Sequence, residues 1–331
     1  MRLLTVVSIL LCLVAAGWYI LSGSSSHQVI EGKIFGTYYK VKINAPRVEP
    51  ALAGKIAARL EEVDRIMSVF REDSELSAIN RAPADTEISL SPDMQAVMRA
   101  ADEIYRRSHG AFDPTLGRLI DMWGFGRGRE SNPSTAEINA ALASVGFDKL
   151  QFSDNFSKLR KTTAAEINLS AIAKGFGVDA VAAILNNAGY KDYIVEIGGE
   201  LKARGTRDGS SPWNIGINRP AAGATDNILI LSLSNMAAAT SGNYRNFYRR
   251  DGRIFGHTIS PQTGRPAQTD VLSASVFDAS CMYADAYATA IVAMGLEAGK
   301  NFAEENNLPV IIFDNNFQPH FSTAAVKAFK E

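Results

Sequence analysis

Cysteine is scarce in this chain, with two residues in 331, Cys12 and Cys281. Cys12 sits inside an N-terminal apolar run, so no disulfide framework holds the fold. Histidine is nearly as rare. The four residues His27, His109, His257 and His320 are scattered, and neither C-x-x-C nor H-E-x-x-H occurs, which argues against a zinc centre. An excess of one charge is also missing: 34 Lys and Arg face 35 Asp and Glu, so no basic surface is evident for a nucleic-acid backbone. The common catalytic loops are absent too. "GLEAGKN" fails the P-loop pattern, "GFGRGRE" does not follow a strand as a dinucleotide fingerprint would, "SAIAK" misses the S-x-x-K spacing, and G-x-S-x-G does not occur. No internal repeat or low-complexity tract is present.

The chain does have apolar residues, 46% of the total, enough for a sizeable core. Its length suits about two domains of ~150 residues, or one large α/β or α+β unit. The longest apolar run, Leu3 to Leu21, holds 19 residues without a charge and is flanked by Arg2 and "SGSSSHQ". A signal-peptide core is usually ~7–15 residues and a bilayer span ~20. Trp18 and Tyr19 suit a membrane interface, and Leu11 before Cys12 is a poor lipoprotein signal. Residues 1–21 therefore read as an uncleaved signal anchor, or else a cleaved signal peptide. Residues 22–28 read as a linker and 29–331 as one exported domain.

Within that domain, "IEGKIFGTYYKVKINA" alternates like a strand, with Gly36 as a bulge or close-approach point. Helical spacing of Leu52, Ile56, Leu60, Val63 and Ile66 predicts an amphipathic helix. Further helices are predicted over "SPDMQAVMRAADEIYRRSHG", over "STAEINAALASVG" with a Ser134–Glu137 capping box, from Ile172 through "AKGFGVDAVAAILNNAG", and over "DASCMYADAYATAIVAMG" ending at Gly295. "AFDPTLGRLIDMWGFGRG" reads as a packed loop with a short helix. "YIVEIGGELKARG", "WNIGIN", "NILILSLSNMAAATSG", "GRIFG" and "LPVIIFD" read as strands. Helices grouped with antiparallel-type strands give an α+β fold: a single large domain with mixed or antiparallel sheets and flanking helices.

Three places carry chemistry. Lys174 stands alone among small and apolar residues in "INLSAIAKGFGVD", as a core lysine or as one facing an anionic ligand. In "CMYADAYATAIVAM", Asp285 and Thr289 are the polar exceptions on an otherwise apolar helix, four residues apart and so on one face. They suit a hard-oxygen Mg²⁺ site. Equally, Asp285 pairs with a basic residue and Thr289 bonds back to its own helix. His257 in "GHTISPQTGRP" ends a strand before a turn, where it serves as a general base or as a packed or surface histidine. Ser241–Gly242 and Gly198–Gly199 allow close backbone approach, but tight turns explain them as well.

In order along the chain, "GTYYKV", "MSVFREDSELSAIN", "GAFDPTLGRLIDMWGFG", "LSAIAKGFGVD", "IVEIGGE", "AATSGNY", "GHTISPQTGRP" and "ADAYAT" resemble the FAD:protein FMN transferase family, the ApbE-like flavin transferases. The resemblance implies cleavage of FAD at its pyrophosphate, attachment of FMN through a phosphoester to a threonine or serine of a target protein, release of AMP, and dependence on Mg²⁺. It implies that Asp285 and Thr289 hold the metal with the carbonyls of Ala173 and Ala288. FAD contacts fall on Phe35, Phe70, Ala111, Phe112, Asp113, Ser170, Phe176 and Ile259, and His257 matches the catalytic base. Asn168, Glu196 and Ser260 depart from the commonest family pattern, and Ser260 removes a carboxylate near His257. Lys174 would then face the FAD phosphates, with Gly175 admitting close approach, or pair with Asp285, Asp113 or Glu196. The implied partners are exported or periplasm-facing subunits of membrane redox complexes carrying an acceptor threonine, met by an enzyme held at the inner membrane with its catalytic domain in the periplasm. A Mg²⁺-dependent FAD pyrophosphatase and a non-catalytic exported FAD-binding protein are the competing readings.

Overall fold

The computed structural model describes residues 27–128, 131–221, 223–242, 247–250 and 253–329. The expected signal segment at residues 1–21 lies outside them. Among the described residues no helix is long and apolar enough to cross a membrane.

The chain opens with β1 (His27–Ile34) and β2 (Thr37–Asn44), paired antiparallel from His27–Asn44 to Ile34–Thr37. The single alternating strand expected here is thus a hairpin. Its two turn residues, Phe35 and Gly36, have φ of 52° and 71°, the positive pair that a two-residue hairpin turn needs. The pattern runs unbroken through the turn because Phe35 stays apolar, so alternation alone does not reveal it.

Next come α1 (Leu52–Met67), α2 (Glu75–Arg81), β3 (Glu87–Ser89), α3 (Pro92–Arg107), α4 (Gly117–Met122) and α5 (Thr135–Leu142). Ser91 caps α3, and the Ser134–Glu137 box closes the start of α5 as its sequence predicts. Strands β4 (Leu150–Phe152) and β5 (Lys158–Lys161) form a small sheet with β3, in the order β3-β5-β4. Helix α6 (Ala173–Asn187) leads into β6 (Tyr193–Ile197), β7 (Glu200–Arg204), β8 (Trp213–Asn218), β9 (Asn227–Leu233) and β10 (Met236–Gly242). "NILILSLSNMAAATSG" is thereby two strands, broken at Asn235, whose φ is 52°. The rest is β11 (Phe247–Arg250), β12 (Arg253–Gly256), β13 (Val271–Asp278), α7 (Cys281–Met294), α8 (Leu296–Glu305), β14 (Val310–Asp314), β15 (Pro319–Phe321) and α9 (Thr323–Phe329).

Eight strands make the central sheet, in the order β1-β2-β6-β7-β10-β13-β14-β15, with every neighbouring pair antiparallel. Tyr39, Val41 and Ile43 of β2 and Tyr193, Val195 and Ile197 of β6 turn to one face, where α1 and α6 cover them. That face continues into a second core built on α3, α7, α8 and β13. On the opposite face the β8–β9 hairpin supplies Trp213, Ile215, Ile217 and Leu233 against Ala203, Phe277, Ile311 and Phe313.

The junction of α6 and α7 sets the position of everything described below. A Cβ on Gly175 would stand 2.3 Å from the Cys281 carbonyl oxygen and 2.8 Å from the Met282 Cα. The close approach that Gly175 permits is therefore to the neighbouring helix, where the sequence suggested a ligand. Gly175→Ala is expected to destabilise the protein by about 1–3 kcal/mol through overpacking, although alanine is the better helix former by ~1 kcal/mol. Denaturant unfolding with an unchanged midpoint would show that the two helices can part at no cost.

Candidate active site

The first turn of α6 approaches α7 end-on. The Gly175 N–H donates to Asp285 Oδ2 at 3.0 Å, a carboxylate held on the positive end of a helix. Asp285 is only 2% exposed, so this contact and its charge partner offset the cost of burying it. That partner is Lys174, whose Nζ lies 3.7 Å from Asp285 Oδ1 and 3.1 Å from Glu200 Oε1. Glu200 begins β7 directly after the Gly198–Gly199 turn, both glycines having positive φ (62° and 113°). The buried cluster thus contains two carboxylates and one ammonium.

One turn along α7, Thr289 Oγ1 lies 2.9 Å from Ser241 Oγ of β10 and donates to the Asp285 carbonyl at 3.3 Å. Both bland expectations for the helix pair are therefore met, since Asp285 has a lysine partner and Thr289 bonds back to its helix. Both side chains nevertheless line one cavity of about 380 Å³. Lys174 and Glu200 line it too, as do His257, Ser241 and Asp113. His257 follows β12, with its ring edge-on to Phe125 at 6.4 Å between centroids.

Of the other positions singled out in the sequence, Phe70, Ala111, Phe112, Ser170 and Ile259 line this same cavity. Phe70 is 65% exposed at its rim. A second cavity of about 490 Å³ shares Phe70, Ser170 and Lys174 with the first and adds Phe35, Gly36 and Ala173. The Phe35 ring is seated over Gly177, where a Cβ would come within 2.8 Å of it. Two positions lie elsewhere. Phe176 lines neither cavity and packs beneath the Arg59 guanidinium at 5.8 Å, while Ala288 is fully buried within α7. Glu196 accepts from the Tyr38 hydroxyl at 2.5 Å and belongs to a pocket under the β8–β9 hairpin, so it is not the partner of Lys174.

Glu200 is the cavity-lining partner of Lys174 that the sequence reading missed. The available signal was a mismatch: a lysine in an apolar helix start needs a carboxylate, and Glu200 follows the glycine pair directly. Electrostatics bind the three groups. Burial alone would lower Lys174, but Asp285 and Glu200 outweigh it and hold the ammonium above its usual range. Burial pushes Glu200 above the ordinary carboxylate range, against the pull of Lys174.

The donor set fits a hard divalent cation. Asp285, Thr289 and Ser241 present oxygen only to the cavity. Among the described residues no group of three His, Cys, Asp or Glu is placed to hold a metal by side chains alone.

Asp113 adds a pH-dependent element. It accepts from the Thr115 N–H at 2.8 Å and the Thr115 hydroxyl at 2.6 Å, yet burial pushes it up to about 6. The folded state therefore binds more protons than the unfolded state between about pH 4 and pH 6. The contribution to stability is full below that window and is lost as pH rises through about 6. Asp113→Asn, neutral throughout, is expected to gain on the wild type by roughly 2–3 kcal/mol from pH 4 to pH 7. Denaturant titrations showing a difference independent of pH would mean that Asp113 ionises normally.

Comparison with known proteins finds relatives over most of the chain. A sequence model of the ApbE family matches residues 35–312. The FAD:protein FMN transferase of Vibrio cholerae serotype O1 is 36% identical over 303 residues, covering 89% of this chain and 90% of that protein. The protein of the same name from Haemophilus influenzae is 35% identical, covering 90% of each. The apo crystal structure of the Pseudomonas stutzeri flavinyl transferase ApbE superposes with a TM-score of 0.84 at 33% identity, covering 92% of this chain and 98% of that one.

Proposed function

The chain belongs to the ApbE family, and on that premise we propose that it transfers the FMN half of FAD to a threonine or serine hydroxyl of a target protein, with release of AMP. The observation that carries this reading is the convergence of His257, Lys174, Asp285 and Thr289 on one cavity, which shares Phe70, Ser170 and Lys174 with a second. Two adjoining cavities suit a dinucleotide with an aromatic group at each end, and both volumes fall in the range of small-molecule sites.

Asp285 and Thr289, with the carbonyl of Ala173, would hold Mg²⁺, which when bound neutralises charge on a pyrophosphate. The protein's own groups do the rest. His257 accepts the proton of the acceptor hydroxyl as its oxygen attacks the FMN-side phosphorus. The bond from that phosphorus to the bridging oxygen breaks, and AMP departs with the oxygen. Lys174 keeps a positive charge beside the leaving phosphate. Phe70, exposed at the rim, is placed to cover an isoalloxazine or adenine face. The N-terminal apolar segment supports an enzyme held at the inner membrane with its catalytic domain in the periplasm. Its partners there would be exported or periplasm-facing subunits of membrane redox complexes.

The test combines the purified protein with FAD, Mg²⁺ and a candidate redox subunit, followed by intact-mass analysis of the subunit and chromatography of the nucleotides. An FMN-sized mass gain with AMP released is expected. AMP and free FMN with every candidate subunit unmodified would favour a pyrophosphatase, and FAD left intact a flavin-binding protein. Asp285→Ala is expected to abolish Mg²⁺-dependent turnover with the fold retained, and an active variant would place the metal elsewhere. His257→Ala should lower the transfer rate by about 10²–10⁴-fold while FAD still binds. Unchanged transfer would remove His257 from the role of base.

A further inference from the structure

The Glu200 carboxylate is buried at 4% exposure, with one oxygen on Lys174 and the other accepting no hydrogen bond. Such an arrangement is costly to fold, and no step described above uses it. Its consequence lies in the choice it imposes on Lys174. The ammonium stands between two carboxylates, in direct contact with Glu200 at 3.1 Å but at 3.7 Å from Asp285 Oδ1, beyond hydrogen-bond distance. The other Asp285 oxygen is already taken by the Gly175 N–H. Oδ1 is therefore the oxygen on which any cation at this site depends, and Lys174 is its nearest competitor. Glu200 follows a two-glycine turn in which a Cβ on Gly198 would meet Thr37 Cγ2 at 2.8 Å.

We propose that Glu200 is a positioning residue that holds the Lys174 ammonium off Asp285, keeping Asp285 Oδ1 available to a divalent cation. This rests on the reading of Asp285 and Thr289 as the cation site. Without Glu200, Lys174 would be free to close on the ligand oxygen.

The experiment is a double-mutant cycle on the FAD-free protein, using Mn²⁺ as probe and reading its dissociation constant by electron paramagnetic resonance and calorimetry, with no turnover involved. Glu200→Gln is expected to weaken Mn²⁺ binding by about tenfold or more while Lys174 is present. In a Lys174→Met background the same substitution should change affinity by less than about threefold, because the competitor is gone. Equal losses in both backgrounds would show Glu200 acting directly on the cation and would overturn the proposal, as would no loss in either. Thermal unfolding reports whether each variant folds. If Glu200→Gln does not, Glu200→Asp enters the cycle, keeping the charge but shortening the reach, and the same pattern decides. Asp285→Ala provides the separate control. Binding that survives it, or no binding to the wild type, would count against the cation site itself and not merely against the role of Glu200.

Discussion

A glycine without a side chain lets two helices touch backbone to backbone, and the rest of the site hangs on that contact. Because position 175 carries no Cβ, the first turn of α6 lies against the start of α7 and its N–H reaches the Asp285 carboxylate. The contact aligns the α6 dipole with a buried negative charge and brings Lys174, one residue earlier, between Asp285 and Glu200. It also sets the angle at which α7 presents Thr289 to β10, through Ser241. The sheet supplies the other half. The tight Gly198–Gly199 connection ends β6 and starts β7 with Glu200 already facing the helices. Two close approaches, one between helices and one within a hairpin, therefore assemble a charged triad that neither element could bury alone.

The helices of this fold were legible because their apolar periodicity and caps are local properties: the α1 stripe, the Ser91 cap and the Ser134–Glu137 box are all readable within a few residues. Asp285 and Thr289 were legible for a related reason, since two polar residues on an all-apolar helix stand out and their spacing puts them on one face. The strands were harder. β13 gave no period-two signal because it lies in the middle of the sheet, with Ala274 and Val276 packed on one side and Phe277 on the other. The β1–β2 hairpin was hidden because Phe35 adopts a positive φ that its residue type does not advertise.

Contacts between distant segments were the least legible part. Nothing near Lys174 in sequence names Glu200, 26 residues on, as its partner rather than Glu196, which lies on the other face of the sheet. Sheet alternation decides it: residues 196 and 200 stand on opposite sides of a two-residue turn, and only the register of β6 with β7 tells which carboxylate faces α6. Phe176 shows the reverse. It sits two residues from Lys174 in the same helix, and helical geometry carries it round to Arg59 and away from both cavities.

Lys174 first posed a choice between a core lysine and one that faces a ligand. The structure shows the core pairing and also places Lys174 on the walls of both cavities. Its ammonium balances two buried carboxylates, as a structural lysine would, yet its side chain stays 29% exposed and lines both cavities. A charge in that position does opposite things to the two species a nucleotide site must hold: it attracts the phosphates and repels the cation that accompanies them. A site that needs both must offset the second effect without losing the first. On the proposed reading, a second buried carboxylate on the sheet side would do this, drawing the ammonium back from Asp285 while leaving the charge on the cavity wall. On the same reading, the unsatisfied oxygen of Glu200 would be the cost of holding anion and cation side by side.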